Sequence, residues 1–315
     1  MSYNKAPKIE FWTGRKSEEE LYLHEKVEFS DSITKKEGIT ALLGYLCDEG
    51  VKRNQGREGA VAGADAIRAQ LAKMPNHLEK NASLIDYGDI TCIDGNMEES
   101  QAVLAQKVTE LLKYKALPIL LGGGHDIAYG HYNGIREYLG IQKSIGIINF
   151  DAHFDLRSNK NGNNSGTPFF QIAEDCQKSN TSFNYLCLGI RKDANDKNLF
   201  RTAKKLGVGF IENKKFSMDN AKSIADELLD FLGKVDHVYV TIDLDGFSSA
   251  YAPGVSAPSP MGFSPKIVLE SLELILKSDK LISMDIAEMN PKYDIDNQTA
   301  KLGASLIHYV MHSKF

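Results

Sequence analysis

Short apolar runs rich in Ile, Val and Leu recur along the chain: Leu117–Leu121, Ser144–Phe150, Tyr185–Ile190, Val208–Ile211, His237–Ile242 and Leu281–Ile286. They lack the apolar–polar alternation of a strand with one wet face, so they fit strands buried on both sides. Helical periodicity fills much of the space between them. Residues 98–114 place Val103, Leu104, Val108, Leu111 and Leu112 on one stripe, and Asn96 followed by Glu99 at its start is spaced as a capping box. Residues 219–232 align Ile224, Leu228, Leu229 and Leu232. A third helix opens with Ser264 as its cap and Pro265 at its first position. Such alternation predicts an α/β fold, a three-layer α/β/α sandwich around a central parallel sheet. Chemistry in these sheets gathers beyond the carboxyl ends of the strands. The first 38 residues are charged and weakly periodic. They read as an extension packed on the core, with residues 39–315 as a single catalytic domain.

Composition narrows the function. A formal net charge of -5 over 315 residues disfavours nucleic acid or an anionic membrane as partner, since either calls for a basic face. No apolar run approaches the roughly 20 residues needed to cross a bilayer. The N-terminal residues lack the apolar core of a secretory signal, so a cytoplasmic location is expected. Cys47, Cys92, Cys176 and Cys187 are scattered without a C-x-x-C pair, and read as free thiols.

Three of the apolar runs end in ionisable residues. "IINFDAHFDLR" runs into Asp151, His153 and Asp155; "VTIDLDGF" runs into Asp243 and Asp245; "LPILLGGGHD" runs through three glycines into His125. Strand residues i, i+2 and i+4 share a face, about 6.6 Å apart, which would bring Asp151, His153 and Asp155 together. Left uncompensated, such a group of buried charges is costly, and a bound cation removes the cost. Four carboxylates and two imidazoles, with no sulfur, favour a manganese-like ion over structural zinc, although other divalent ions are possible. Four aspartates balance the charge of two such ions. Two ions about 3.5–4 Å apart would sharpen a shared water into a nucleophile near neutral pH.

These residues resemble the arginase/agmatinase ureohydrolase family. The matching stretches are "GGGHD", "NFDAHFD", "SGTPF", "TIDLDGFSSAYAPGVSAP" and "MDIAEMNP", in that order, over about residues 40–310. The resemblance implies an arginase-like domain, two Mn2+ per subunit and hydrolysis of a C–N bond in an amidine or guanidine. By position, one ion would be held by His125, Asp151, Asp155 and Asp243. The other would be held by Asp151, His153, Asp243 and Asp245. Glu288 falls where the family binds the amidine nitrogens. "FWTGR", "GVKRNQGREGAVAGADAIR" and "YDIDNQTAKLGASLIH" look most like the branch that hydrolyses N-formimidoyl-L-glutamate to L-glutamate and formamide in histidine degradation. A homo-oligomer is also implied.

A dicarboxylate amidine needs an acid at one end and cations at the other. Glu288 supplies the first, and Arg57 and Arg157, with Asn54 nearby and Arg191 as a third cation, are the candidates for the second. The loop that holds a histidine in arginases reads "GNNSGTPFF", with Asn164 and Ser165 at that place, which leaves Asp245 to carry the proton to the leaving nitrogen. A sister enzyme releasing urea from a guanidine is the alternative. His131, His237, His308 and His312 lack partner spacing and read as core or surface histidines; Asp126 reads as a turn or helix-start residue, and Trp12 as an anchor for the extension.

Overall fold

The computed structural model describes residues 2–32 and 38–314. Their strands form one sheet: β1 (Asn4–Lys5), β2 (Glu28–Phe29), β3 (Ile39–Leu46), β4 (Ser83–Thr91), β5 (Leu117–Leu121), β6 (Ile145–Phe150), β7 (Asn184–Ile190), β8 (Gly209–Glu212), β9 (His237–Asp243) and β10 (Leu281–Ala287). The order is β1-β4-β3-β5-β10-β9-β6-β7-β8, with β2 also on β4. Among the described residues these strands pair in parallel except β1 with β4.

Helices cover both faces. In chain order they are α1 (Leu23–Lys26), α2 (Glu49–Arg53), α3 (Gly63–Leu71), α4 (Met97–Lys113), α5 (Ile127–Leu139), α6 (Pro168–Lys178), α7 (Lys197–Lys205), α8 (Ala221–Gly233), α9 (Pro265–Lys277) and α10 (Gln298–Lys314). Ile67, Ile224, Ile267 and Leu306 bring α3, α8, α9 and α10 into one core. Leu104, Ile127, Phe169 and Leu199 bring α4, α5, α6 and α7 into the other. Successive strand residues alternate between the two, Leu42 and Leu84 in the first against Leu43 and Ile85 in the second. The three-layer α/β/α arrangement with a largely parallel sheet follows. Among the described residues no helix is long and apolar enough to cross a membrane.

Local signals hold in part. Asn96 caps α4 by accepting from the Glu99 N–H at 3.2 Å, but its own N–H goes to the Ile93 carbonyl, so the box is half formed; Pro265 opens α9, and the Ser264 side chain makes no cap bond. β3 and β4 are absent from the sequence reading. In β4, Asp86 and Asp89 interrupt the apolar run, yet both are buried because the fully buried Arg68 bonds to them at 2.8 and 2.6 Å. The N-terminal segment joins the sheet here. β1 pairs with the Asp89–Ile90 end of β4 and β2 with the Ile85–Asp86 end, so together they cover that strand's outer edge. Between them Trp12 is buried, its indole donating to Asp86 at 2.9 Å.

Candidate active site

β5, β10, β9 and β6 are consecutive in the middle of the sheet, and their carboxyl ends open on one cleft. Beyond β5 the chain threads between the ends of β3 and β10. A Cβ on Gly123 would lie 1.7 Å from the Cys47 carbonyl oxygen, and one on Gly122 would lie 2.7 Å from that of Ile286. Only glycine permits this approach, and it carries His125 over the strand ends, fully buried.

β6 stops at Phe150, and Asp151, His153 and Asp155 lie in the loop after it. The expected strand alternation therefore does not gather them. A fastened turn does. The Asp151 carboxylate accepts from the His153 N–H at 2.7 Å and from Asn149 Nδ2 at 3.0 Å. The Tyr185 hydroxyl holds the Phe154 carbonyl at 3.0 Å, and Asn195 bonds Phe154 N and Ala152 O. Asp155 then turns inward with φ 48°, in the left-handed region that a non-glycine residue adopts only under constraint. At the end of β9, Asp243 Oδ1 accepts from the Asp245 N–H at 2.8 Å.

Two groups result. His125 Nδ1 stands 3.2 Å from Asp151 Oδ2, 3.0 Å from Asp155 Oδ2 and 3.0 Å from Asp243 Oδ2. His153 Nδ1 stands 3.2 Å from Asp245 Oδ2 and 3.5 Å from Asp151 Oδ1. Asp151 serves both groups, one oxygen to each, and both could hold a metal ion. Asp243, expected in both, stands with the first group through Oδ2, and its Oδ1 accepts from the Asp245 N–H. Asp245 Oδ1 is buried with no hydrogen-bond partner, and the buried His125 Nδ1 is met by carboxylate oxygens. Donors around an octahedral ion at about 2.1 Å stand about 3 Å apart, which is the spacing around His125. The donor set fits hard divalent cations.

Electrostatics describe the same demand. Burial opposes a charged imidazole, yet Asp151, Asp155 and Asp243 outweigh it and hold His125 well above its ordinary value. Burial, with Asp245 and Asp151 beside it, pushes Asp243 well up. Burial also raises Asp245 to about 7, against the pull of His153. Charge of one sign is crowded here beyond what two imidazoles relieve.

The cleft, of about 310 Å³, is lined by His153, Asp155, Asp243, Asp245 and Glu288 on its floor and by Asn54, Arg57 and Arg157 around it. Glu288 is buried at φ 64°, and its Oε1 accepts from the His125 N–H at 2.9 Å. Burial and the nearby Asp243 hold its carboxyl well above the usual range. Arg57 is already engaged: its guanidinium donates to Ser256 O and Val255 O at 2.8 and 2.6 Å and lies 3.7 Å from the Tyr293 ring centre. Arg157 is exposed, with its stem over Gly166, and its guanidinium has no ion pair or hydrogen bond among the described residues. Asn54 donates to Ser165 Oγ at 3.2 Å. Arg191 does not line the cleft; it pairs with Asp193. Asp126 stands at the N-cap of α5 as a helix-start residue, though its carboxylate makes no cap bond and instead accepts from the Tyr45 hydroxyl at 2.9 Å. Gln55 and Ser256 also line the cleft and were not singled out from the sequence, where nothing marks them except their neighbours.

Residues 39–313 match the sequence profile of the Arginase family. The chain belongs to that family. It is 40% identical to the formimidoylglutamase of Geobacillus thermodenitrificans, covering 96% of this chain and 97% of that one. To the formimidoylglutamase of Aeromonas salmonicida it is 43% identical, covering 94% and 95%. Among solved structures, the Trypanosoma cruzi formiminoglutamase with Mn2+2 superposes with a TM-score of 0.77 at 26% identity, over 88% of this chain and 93% of that one. The Bacillus subtilis arginase gives a TM-score of 0.73 at 26% identity, over 87% and 98%.

Proposed function

We propose that this arginase-family chain is a formimidoylglutamase, hydrolysing N-formimidoyl-L-glutamate to L-glutamate and formamide with two Mn2+. Identity to formimidoylglutamases along nearly the whole chain carries this reading. His125, Asp151, Asp155 and Asp243 would hold one ion, and Asp151, His153 and Asp245 the other. When bound, a pair of divalent ions supplies a water-derived nucleophile at neutral pH and draws electrons from the amidine carbon.

The protein's own groups do the rest. Glu288 spends one oxygen on the His125 N–H, and its other oxygen is available to an amidine N–H. Arg157, the free cation at the mouth, binds the glutamate carboxylates. Arg57 is locked onto Val255 and Ser256, so it shapes that end of the cleft and offers its remaining nitrogen. Asp245 lines the cleft with an unpartnered oxygen, takes a proton from the attacking water and passes it to the departing glutamate nitrogen. His153 is the one histidine lining the cleft among the described residues, and Asn164 and Ser165 occupy the loop where a shuttle histidine was sought.

The decisive experiment loads the protein with manganese and analyses products. Glutamate and formamide in equal amounts support the reading. Urea from a guanidine, with no turnover of formimidoylglutamate, would place the chain with a sister activity, and ammonia with formylglutamate would mean that the other C–N bond breaks.

A further inference from the structure

The far nitrogen of His125 leads away from the cleft into the core. Nε2 lies 2.9 Å from Thr241 Oγ1, and the Thr241 hydroxyl donates to Asp285 Oδ1 at 2.6 Å. Asp285, fully buried within β10, uses its other oxygen to accept from the Tyr239 hydroxyl and to meet His131 Nδ1 at 2.6 Å. His131 Nε2 meets Ser283 Oγ at 2.6 Å, and Ser283 donates to the Pro118 carbonyl at 2.8 Å. His131 is thus no isolated core histidine. It closes a buried chain of hydrogen bonds that starts at the candidate metal site.

The chain has a direction. A hydroxyl has one hydrogen, and that of Thr241 is directed at Asp285. Its oxygen can then only accept from His125, so Nε2 carries the hydrogen and, in the neutral imidazole, Nδ1 is the nitrogen left free to bind a cation. We infer that Asp285, acting through Thr241, sets the tautomer of His125 and so builds the first of the two ion sites. Tyr239 and His131 hold Asp285 in place. It is a positioning residue, since it touches neither cleft nor substrate. The inference rests on His125 being a metal ligand and adds what makes it one.

Asp285→Asn reverses the chain without changing its shape. The amide oxygen stays with Tyr239 and His131, which leaves the NH2 group facing Thr241. Thr241 must then accept from it and turn its own hydrogen onto His125 Nε2, which favours the tautomer with Nδ1 blocked. Thr241→Val removes the link, and Thr241→Ser restores it.

Manganese titration followed by calorimetry and electron paramagnetic resonance reads the outcome. Asp285→Asn and Thr241→Val are expected to weaken one of two binding events by on the order of 10- to 100-fold, leave the other near wild type, and leave Thr241→Ser with both. A general loosening of the core would instead weaken both events, or impair Thr241→Ser equally, and would overturn the inference. So would wild-type binding of both ions by Thr241→Val, a variant whose fold is tested by its metal-free melt. A wild-type protein that binds no divalent ion would sink the metal reading itself, and this inference with it.

Discussion

Glu288 acts in two directions from one constrained backbone position. Its Oε1 fixes the backbone of His125, while the same carboxylate borders the cleft. Glu288→Gln keeps an oxygen for the His125 N–H and loses the charge. Turnover of formimidoylglutamate is expected to fall by roughly 10²–10³-fold with bound manganese unchanged; undiminished turnover in a metal-replete variant would remove Glu288 from the reaction. The part proposed for Arg157 is binding instead. Arg157→Met preserves the stem over Gly166 and removes the cation, so KM should rise about 10- to 100-fold with little change in kcat. An unchanged KM would leave Arg157 a bystander. At this scale the acidic cluster was legible because carboxylates at the end of an apolar run are conspicuous. Thr241 was not, because one threonine in a buried strand looks like any other. Asp285 did leave a signal, a carboxylate inside "LISMDIA", but nothing local says which group it faces.

β4 shows how an element can hide from its sequence. Its two aspartates look like a loop until Arg68, from α3, is brought against them. Burial of that ion pair leaves little tolerance for a missing partner. Trp12 supplies one more donor, to Asp86, and so ties the N-terminal segment to this strand. Trp12→Phe retains most of the apolar contact and deletes that bond. Melting should report a loss of about 1–3 kcal/mol, and an unaltered melt would make the segment's attachment independent of the indole. The reverse case is the segment after β6. Strand alternation was expected to carry its ligands, but the pleat ends at Phe150, and side chains from Asn149, Tyr185 and Asn195 aim them. Hydrogen bonds to residues far along the chain replaced a local periodicity.

Across the whole molecule, β9 and β10 come late in the chain and insert between β5 and β6. The candidate ion sites are therefore complete only when the central strands β5, β10, β9 and β6 are assembled, and cations bound there stabilise that assembly. Removing divalent ions leaves crowded carboxylates with two imidazoles for compensation, so a chelator should lower the melting temperature markedly and manganese should restore it in proportion to its concentration. A melt indifferent to verified metal removal would contradict this. The chain by itself determined the layered α/β class, six of the strands and the charged strand endings, because apolar periodicity and residue chemistry are carried by neighbours in sequence. Only the tertiary structure decided which strands lie side by side, that Asp151 faces both groups of ligands, that Arg57 is engaged while Arg157 is free, and that Thr241 and Asp285 stand behind His125. Each of those depends on a partner brought near by folding, and a hydrogen bond has neither length nor direction until both of its ends are in place.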